Sequence, residues 1–338
     1  MKHAILRFST ALSVMAVSGI FICVSRGFIS LLISYFILYL GNGMLEISLN
    51  IIAATLFTKK LGTMMNLAHF FYGAGSVFSP VISARLMAAR FGEGVLSWRY
   101  MYLIVMSCAL IPVIPALVGR LEKREYNKKK TGYRVLLKNP TFWLTVSVLT
   151  LGSICEMGVG AWLVNYLEKS LLLTGENAAF LLTVFFVCFT LSRLFAGPVT
   201  DKFGFINSLA FSTGFAGVMI TAGVLCGKPG VALLIIAGIG VAPVYPTVMA
   251  VISKLFSDEI DLAMTAVTTV MGILMVPANL LPGLIVYFAR FVFTNIYGEA
   301  GVGMAYSAGY LFLGLCCMGS AACAVVLRNR QKNAGRLV

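Results

Sequence analysis

Apolar residues in this chain run in long blocks without alternation, and polar residues collect between the blocks. A helix needs about 20 apolar residues to cross the hydrocarbon core of a bilayer. Ten blocks reach that length: 5–25, 29–57, 64–88, 98–119, 141–167, 177–199, 205–226, 230–254, 262–289 and 303–327. Backbone surrounded by lipid must satisfy its own hydrogen bonds, which helices and closed barrels do. Barrel strands alternate apolar and polar residues, and these blocks do not, so helices are expected. The pattern predicts an all-α membrane protein with ten transmembrane helices.

Residues 120–138 interrupt the blocks with Arg120, Lys123, Arg124, Lys128, Lys129, Lys130, Arg134 and Lys138. Four blocks precede this stretch and six follow it. The expected organisation is a first helical bundle over 1–119, a basic linker over 120–140, and a second bundle with its tail over 141–338.

Composition agrees with lipid as the main solvent. The chain is 59% hydrophobic and 11% charged, with a mean hydropathy of +0.94, against roughly 25% charged residues in soluble domains. A net charge of +14 would suit nucleic acid, but the Lys and Arg residues lie between apolar blocks and follow a topological rule instead. Alternating outward from the basic stretch puts eighteen of them on one side and seven on the other, with Arg193 near a helix end on the richer side. Cytoplasmic loops are the basic ones, so both termini are expected in the cytoplasm and the chain in the cell membrane. Lys2, Arg7 and the first apolar run would also suit a signal peptide, yet no small-residue cleavage site follows and Arg26 leads straight into the next block. The eight cysteines fall in or beside apolar blocks without metal-ligand spacing, so they read as packing residues.

Two acidic residues sit deep inside apolar blocks, Glu46 and Glu156. A carboxylate at the centre of a membrane helix costs about 2.5–3.5 kcal/mol on insertion scales, so it marks a function or a partner. Asn42, Glu46 and Asn50 follow one another at a spacing of four, a polar stripe on one face of the second block. The fifth block adds Trp162, Asn165 and Tyr166 after Glu156. The eighth holds Gly238, Gly240, Pro243, Tyr245 and Pro246, which can break helix geometry near the bilayer midplane.

The two halves look related. Phe8-Ser9-Thr10 recurs as Phe211-Ser212-Thr213, Phe78-Ser79-Pro80 echoes Leu280-Leu281-Pro282, and Gly41-Asn42-Gly43 matches Gly238-Ile239-Gly240. Their common order aligns the first four blocks with the last four of the second half, so two helices of a twelve-helix plan are expected to be missing before residue 1. At the end of the sixth block, Arg193, Gly197 and Asp201 follow at spacings of four, with Lys202 and Gly204 close behind. Gly197 allows close approach of another helix. Asp201 can pair with a basic group or cap the next helix.

Gly197-Pro198-Val199-Thr200-Asp201-Lys202-Phe203-Gly204 resembles the loop signature of the major facilitator superfamily, in its second-half copy. The basic pair that often follows is replaced by Phe205 and Ile206. The run from Gly41 through Glu46 to Asn50, followed by Asn66-Leu67-Ala68-His69-Phe70-Phe71-Tyr72-Gly73-Ala74-Gly75, is similar to the fucose/glucose-type proton-coupled sugar symporters of that superfamily. Glu156, Trp162 and Tyr166 also look like that group. The resemblance implies a major facilitator-type bundle and a secondary transporter that moves a small polar solute, a sugar, with protons by alternating access. It implies a substrate or proton role for Glu46 and Asn50. By helix order it sets Glu46, Glu156 and Tyr245 on cavity-lining helices.

On this reading Asn50, Asn165 and Tyr245 supply hydrogen bonds to hydroxyls, Trp162 an apolar platform for a sugar ring, and Arg193, Gly197, Asp201, Lys202 and Gly204 the conformational motif. A drug or metabolite exporter on the same fold, and a shortened non-transporting membrane protein, remain open alternatives. No metalloprotease, nucleophile-elbow or metal-cluster motif points to an enzyme or a cofactor. The expected partners are the solute, protons and membrane lipid, with no nucleic acid, and the expected state is a monomer.

Overall fold

The structure is a computed structural model that describes residues 2–57, 59–88, 90–91, 94–118 and 132–335. The basic stretch expected as a linker lies outside the described residues as far as 131. Among the described residues every apolar block is mainly helical. The chain divides into two compact units, Met1–Thr58 with Phe71–Lys128, and Lys59–Phe70 with Lys129–Val338. The expected first bundle kept the whole third block together, whereas its first turns pack within the second unit.

The first unit holds α1 (Lys2–Val24), α2 (Phe28–Leu56), the later part of α3 (Leu61–Ala88), α4 (Trp98–Ser107) and α5 (Val113–Val118). A two-residue antiparallel pairing, β1 (Arg90–Phe91) with β2 (Gly94–Val95), turns the chain between α3 and α4. The block expected as one span over 98–119 is interrupted at residues 111–112, where Pro112 supplies no N–H. Small residues let the helices close on one another, as is usual when lipid gives no hydrophobic push. A Cβ on Gly41 would sit 3.1 Å from the Ala11 carbonyl, and one on Gly19 would sit 2.8 Å from Met106 Cβ. Tyr35 donates its hydroxyl proton to Tyr102 at 2.7 Å.

The second unit contains α6 (Tyr133–Leu137), α7 (Pro140–Lys169), α8 (Gly175–Phe203), α9 (Phe205–Leu225), α10 (Val231–Val241), α11 (Val244–Leu255), α12 (Ile260–Ala278), α13 (Leu281–Tyr297) and α14 (Ala300–Asn333). Asn139 caps α7 through the Thr141 amide at 2.9 Å, with Pro140 in the first turn, a placement that suits its fixed φ. Its core is built on α7, α8, α9, α10 and α14. Tyr166 and Tyr310 stack with ring centres 4.8 Å apart, beside the buried Cys155 and Cys317. Ser320 donates to the Val148 carbonyl at 2.8 Å and ties α14 to α7. The block expected over 262–289 continues to Tyr297 and breaks at residues 279–280, just before Pro282.

The sequence echo between Gly41-Asn42-Gly43 and Gly238-Ile239-Gly240 has a packing counterpart shifted by two residues. Gly41 touches α1 at the Ala11 carbonyl, and Gly240 touches α9 at the Ser212 carbonyl, where a Cβ would lie 2.6 Å away. Large apolar side chains point outward from both units: Phe28 is 79% exposed and Phe211 75%. Such surfaces are stable only against lipid or protein. Among the described residues nine helical stretches are long and apolar enough to cross a membrane, α3 not being one of them.

The close crossing of α9 and α14 gives a direct test. A Cβ on Gly217 would lie 2.6 Å from Met318 Cγ and 2.9 Å from the Met318 amide nitrogen. Gly217→Val is expected to cost about 1–3 kcal/mol by overpacking. Gly272→Ala, where nothing lies within 4 Å, is expected to be neutral or to gain roughly 0.5–1 kcal/mol from helix propensity. Melting of the two purified variants in detergent measures the contrast.

Candidate functional site

The second unit carries a charged network inside its helices. Arg193 lies ten residues before the end of α8, about 15 Å along the axis, and is 3% exposed. The expectation of a cation near a helix end is therefore corrected. A guanidinium cannot shed its proton in a protein, so burial obliges it to find acceptors. Its Nη2 meets Glu156 Oε1 at 2.9 Å, and the Glu156 side chain is 22% exposed. Its Nη1 donates to the His69 carbonyl at 2.9 Å and its Nε to the Ala242 carbonyl at 3.0 Å. The guanidinium also lies 4.4 Å from the centre of the Phe189 ring, close enough for a cation–π contact. One side chain thus ties α7, α3 and the break between α10 and α11 to α8. Glu156, expected as a carboxylate holding a proton in a low-dielectric cavity, instead carries an ion pair.

Two further residues gather around this hub. Tyr245, in the first turn of α11, is 8% exposed. Its ring lies 5.1 Å from the His69 ring, tilted by 59°. The sequence named Tyr245 as a hydroxyl partner for a solute; the structure adds an aromatic contact with α3.

The loop signature forms a second contact, a few turns along α8. The Asp201 carboxylate accepts hydrogen bonds from the Gly62 amide at 2.7 Å, the Thr63 amide at 2.9 Å and the Thr63 hydroxyl at 2.6 Å. Gly62 and Thr63 are the second and third residues of α3, whose amides have no partner within their own helix. The ammonium side chain of Lys60, in the position before the helix, has no acceptor to offer these amides. Asp201 therefore serves as the missing N-cap from another helix, and its negative charge meets the positive end of the α3 dipole. The sequence reading allowed a cap on the next helix, α9; the capped helix is α3, 138 residues away.

Gly197 makes the approach possible, since a Cβ there would lie 2.6 Å from Thr63 Cα. Gly204 ends α8 at φ +85°, a conformation that glycine adopts at little cost. Lys202 is exposed, with its Nζ 5.9 Å from the centre of the neighbouring Phe203 ring.

Two other candidates on α7, Asn165 and Trp162, do not join this hub. Asn165 lies nine residues after Glu156 on α7, half a turn round the helix at about 3.6 residues per turn. It is exposed and makes no hydrogen bond among the described residues. Trp162 is also turned away from Glu156, and its ring lies against Gly283 of α13, 3.4 Å from where a Cβ would stand. It packs on the core of its unit, so a sugar platform shared with Glu156 is corrected to a packing role. On α2, Asn50 is 2% exposed, whereas Glu46 is exposed and makes no hydrogen bond or ion pair among the described residues.

Reading the sequence missed Arg193 as the partner of Glu156, and it missed Ser192, Gly62 and Thr63. The signal for Arg193 was there: a basic residue eight positions inside Asp201 lies well within an apolar run and needs an acidic partner. The cap on α3 is expected to be local. Asp201→Ala should remove about 0.5–2 kcal/mol of capping energy and speed hydrogen exchange at the Gly62 and Thr63 amides, with exchange around Arg193 unchanged. Unaltered exchange at residues 62–63 would show that the carboxylate does not hold this end of α3.

No curated protein matches the chain in sequence. Among solved structures, FucP, described as a Major Facilitator Superfamily transporter in the outward conformation, aligns with a TM-score of 0.76 and 16% identity over 97% of this chain and 84% of its own. The proton:xylose symporter XylE, bound to 6-bromo-6-deoxy-D-glucose, aligns at 0.70 and 14% over 94% and 78%. A bacterial homologue of the iron transporter ferroportin, in an outward-facing state, aligns at 0.67 and 14% over 94% and 84%. At these identities the likeness is one of fold. A family model described as Major Facilitator Superfamily matches residues 3–276, most of the chain. This chain therefore belongs to the Major Facilitator Superfamily, a family of integral membrane transporters and not of enzymes.

Proposed function

We propose that this protein carries a small polar solute, a sugar, together with protons by alternating access. It works in the cell membrane with both termini in the cytoplasm. The observation that carries the proposal is the contrast between the two intramembrane carboxylates. Glu156 is held in an ion pair by Arg193. Glu46, inside the 29-residue apolar helix α2, is exposed with no ion pair among the described residues. A carboxylate inside so apolar a helix is costly to keep and marks a functional position. Fold neighbours support the same reading, since FucP is described as a fucose:proton symporter and XylE as a proton:xylose symporter.

Each contact then has a role. Proton occupancy at Glu46 changes the cost of exposing that carboxylate and so biases the choice between conformations. Within the second unit, Tyr245 on α11 offers a hydrogen bond to a solute hydroxyl. The Asp201 cap on α3 is a small, reversible contact of three hydrogen bonds, which suits a latch that forms in one conformation and releases in another. Trp162 and Asn165 do not share the face of α7 that bears Glu156, and they drop out of the proposal.

Proteoliposomes test this directly. Under an inward proton gradient they are expected to accumulate radiolabelled fucose, xylose or glucose. Glu46→Gln should lower gradient-driven uptake by about 5–150-fold, the range expected when a coupling free energy of 1–3 kcal/mol is lost. Equal uptake by this variant would remove Glu46 from the mechanism. Absence of uptake for all three sugars by the unaltered chain would overturn the sugar reading.

A further inference from the structure

The helix formed by α10 and α11 contains two prolines three residues apart, and each leaves a carbonyl without its helical donor. In an α-helix the carbonyl of residue i accepts from the amide of i+4. Pro243 therefore strands the Ile239 carbonyl, and Pro246 strands the Ala242 carbonyl. In a membrane such groups need a replacement donor, because water is not at hand.

Both replacements come from neighbouring residues of one helix. Ser192 Oγ donates to the Ile239 carbonyl at 2.8 Å, and Arg193 Nε donates to the Ala242 carbonyl at 3.0 Å. Ser192 is 8% exposed and Arg193 3%. Close approach of the two helices is built in two turns earlier. There, a Cβ on Gly238 would lie 2.9 Å from Phe185 Cε2 and 3.2 Å from the Phe185 carbonyl. On either side of the break the regular ladder is intact, with the Ala242 amide on the Gly238 carbonyl at 3.1 Å and the Thr247 amide on the Pro243 carbonyl at 3.0 Å.

We propose that Ser192 and Arg193 are positioning residues that splint the proline break in α10–α11 and thereby set the placement of Tyr245. Tyr245 lies between the two prolines, so the break determines where its ring emerges. The Arg193 end of the splint is tied to Glu156, which links the helix break to a charge on α7. As a statement about solute transport, this rests on Tyr245 being part of the path. The splint itself does not, and its test is made on purified protein without any solute.

The test is a suppression experiment. Ser192→Ala orphans the Ile239 carbonyl and is expected to lower the melting temperature in detergent. Pro243→Ala restores an amide to that carbonyl, so Ser192→Ala should cost little or nothing in a Pro243→Ala background. Ser192→Thr keeps the hydroxyl and should melt close to the parent. A merely stabilising contact would stop there; a positioning role adds a spectroscopic signature. The 19F resonance of 3-fluorotyrosine at position 245 should move in Ser192→Ala, well below the melting temperature, and stay in place in Ser192→Thr.

An equal melting penalty for Ser192→Ala with and without Pro243 would overturn the splint. A melting shift with an unmoved 19F resonance would overturn the positioning role. Should Ser192→Ala fail to fold, the same logic runs through Pro243→Ala. There the parent and the Ser192→Ala double variant should melt together, and a lower melting point for the double variant overturns the proposal. Loss of sugar uptake has no bearing on these readings, so failure of the transport assignment and failure of the splint remain distinguishable.

Discussion

A permanently charged guanidinium inside an apolar helical bundle has to be answered, and the second unit is arranged around the answer. Arg193 has five N–H donors and no means of neutralising itself. Its partners come from three directions: the Glu156 carboxylate on α7, the His69 carbonyl on α3 and the Ala242 carbonyl at the helix break. A buried ion pair gives little net stability over apolar residues of similar size, and removing one partner alone is costly. That asymmetry explains how a single side chain can fix the mutual placement of several helices. The arrangement defines position more than it contributes stability.

The same unit uses backbone polarity as joints. The unpartnered amides at the start of α3 receive the Asp201 carboxylate. The stranded carbonyls of the broken helix receive Ser192 and Arg193. In both places a defect in regular secondary structure, an uncapped terminus or a proline, becomes a docking point for α8. All three donors or acceptors lie within ten residues of one helix, and Gly197 and Gly238 permit the close approaches. Apolar packing between helices, as at Gly217 and Met318, supplies adhesion without such directional detail.

Much of the fold was legible in the sequence, because hydrophobic run length is a strong signal once the solvent is lipid. Among the described residues every expected span is mainly helical, with interruptions at 111–112, 242–243 and 279–280. Run length does not show where helices break; prolines carry that signal, as at Pro112, at Pro243 and Pro246, and just before Pro282. The assignment of residues 59–70 to the second unit was equally hidden, because it depends on the Asp201 contact over 138 residues of separation. In the second unit, Glu156 and Tyr245 were legible from residue type and position within apolar blocks, and Arg193 contacts the first directly and the second by way of His69. The role of Glu156 was less legible, because a carboxylate's behaviour depends on its neighbours and Arg193 reads from the sequence as a cation near a helix end. Asn165 and Trp162 are suited by residue type to bind a sugar, but helical periodicity turns both away from Glu156.

The central claim is that Glu156 and Arg193 act as one paired unit, each needed chiefly because the other is there. The most direct measurement is a double-variant cycle in melting of the purified protein, using Glu156→Gln, Arg193→Gln and both together. Each single change leaves a charge or its partner stranded among apolar helices and should cost about 3–5 kcal/mol. The double variant, with two neutral amides facing each other, should be no less stable than the worse single variant. Losses that simply add would show that the two side chains stabilise the protein independently and would contradict the account.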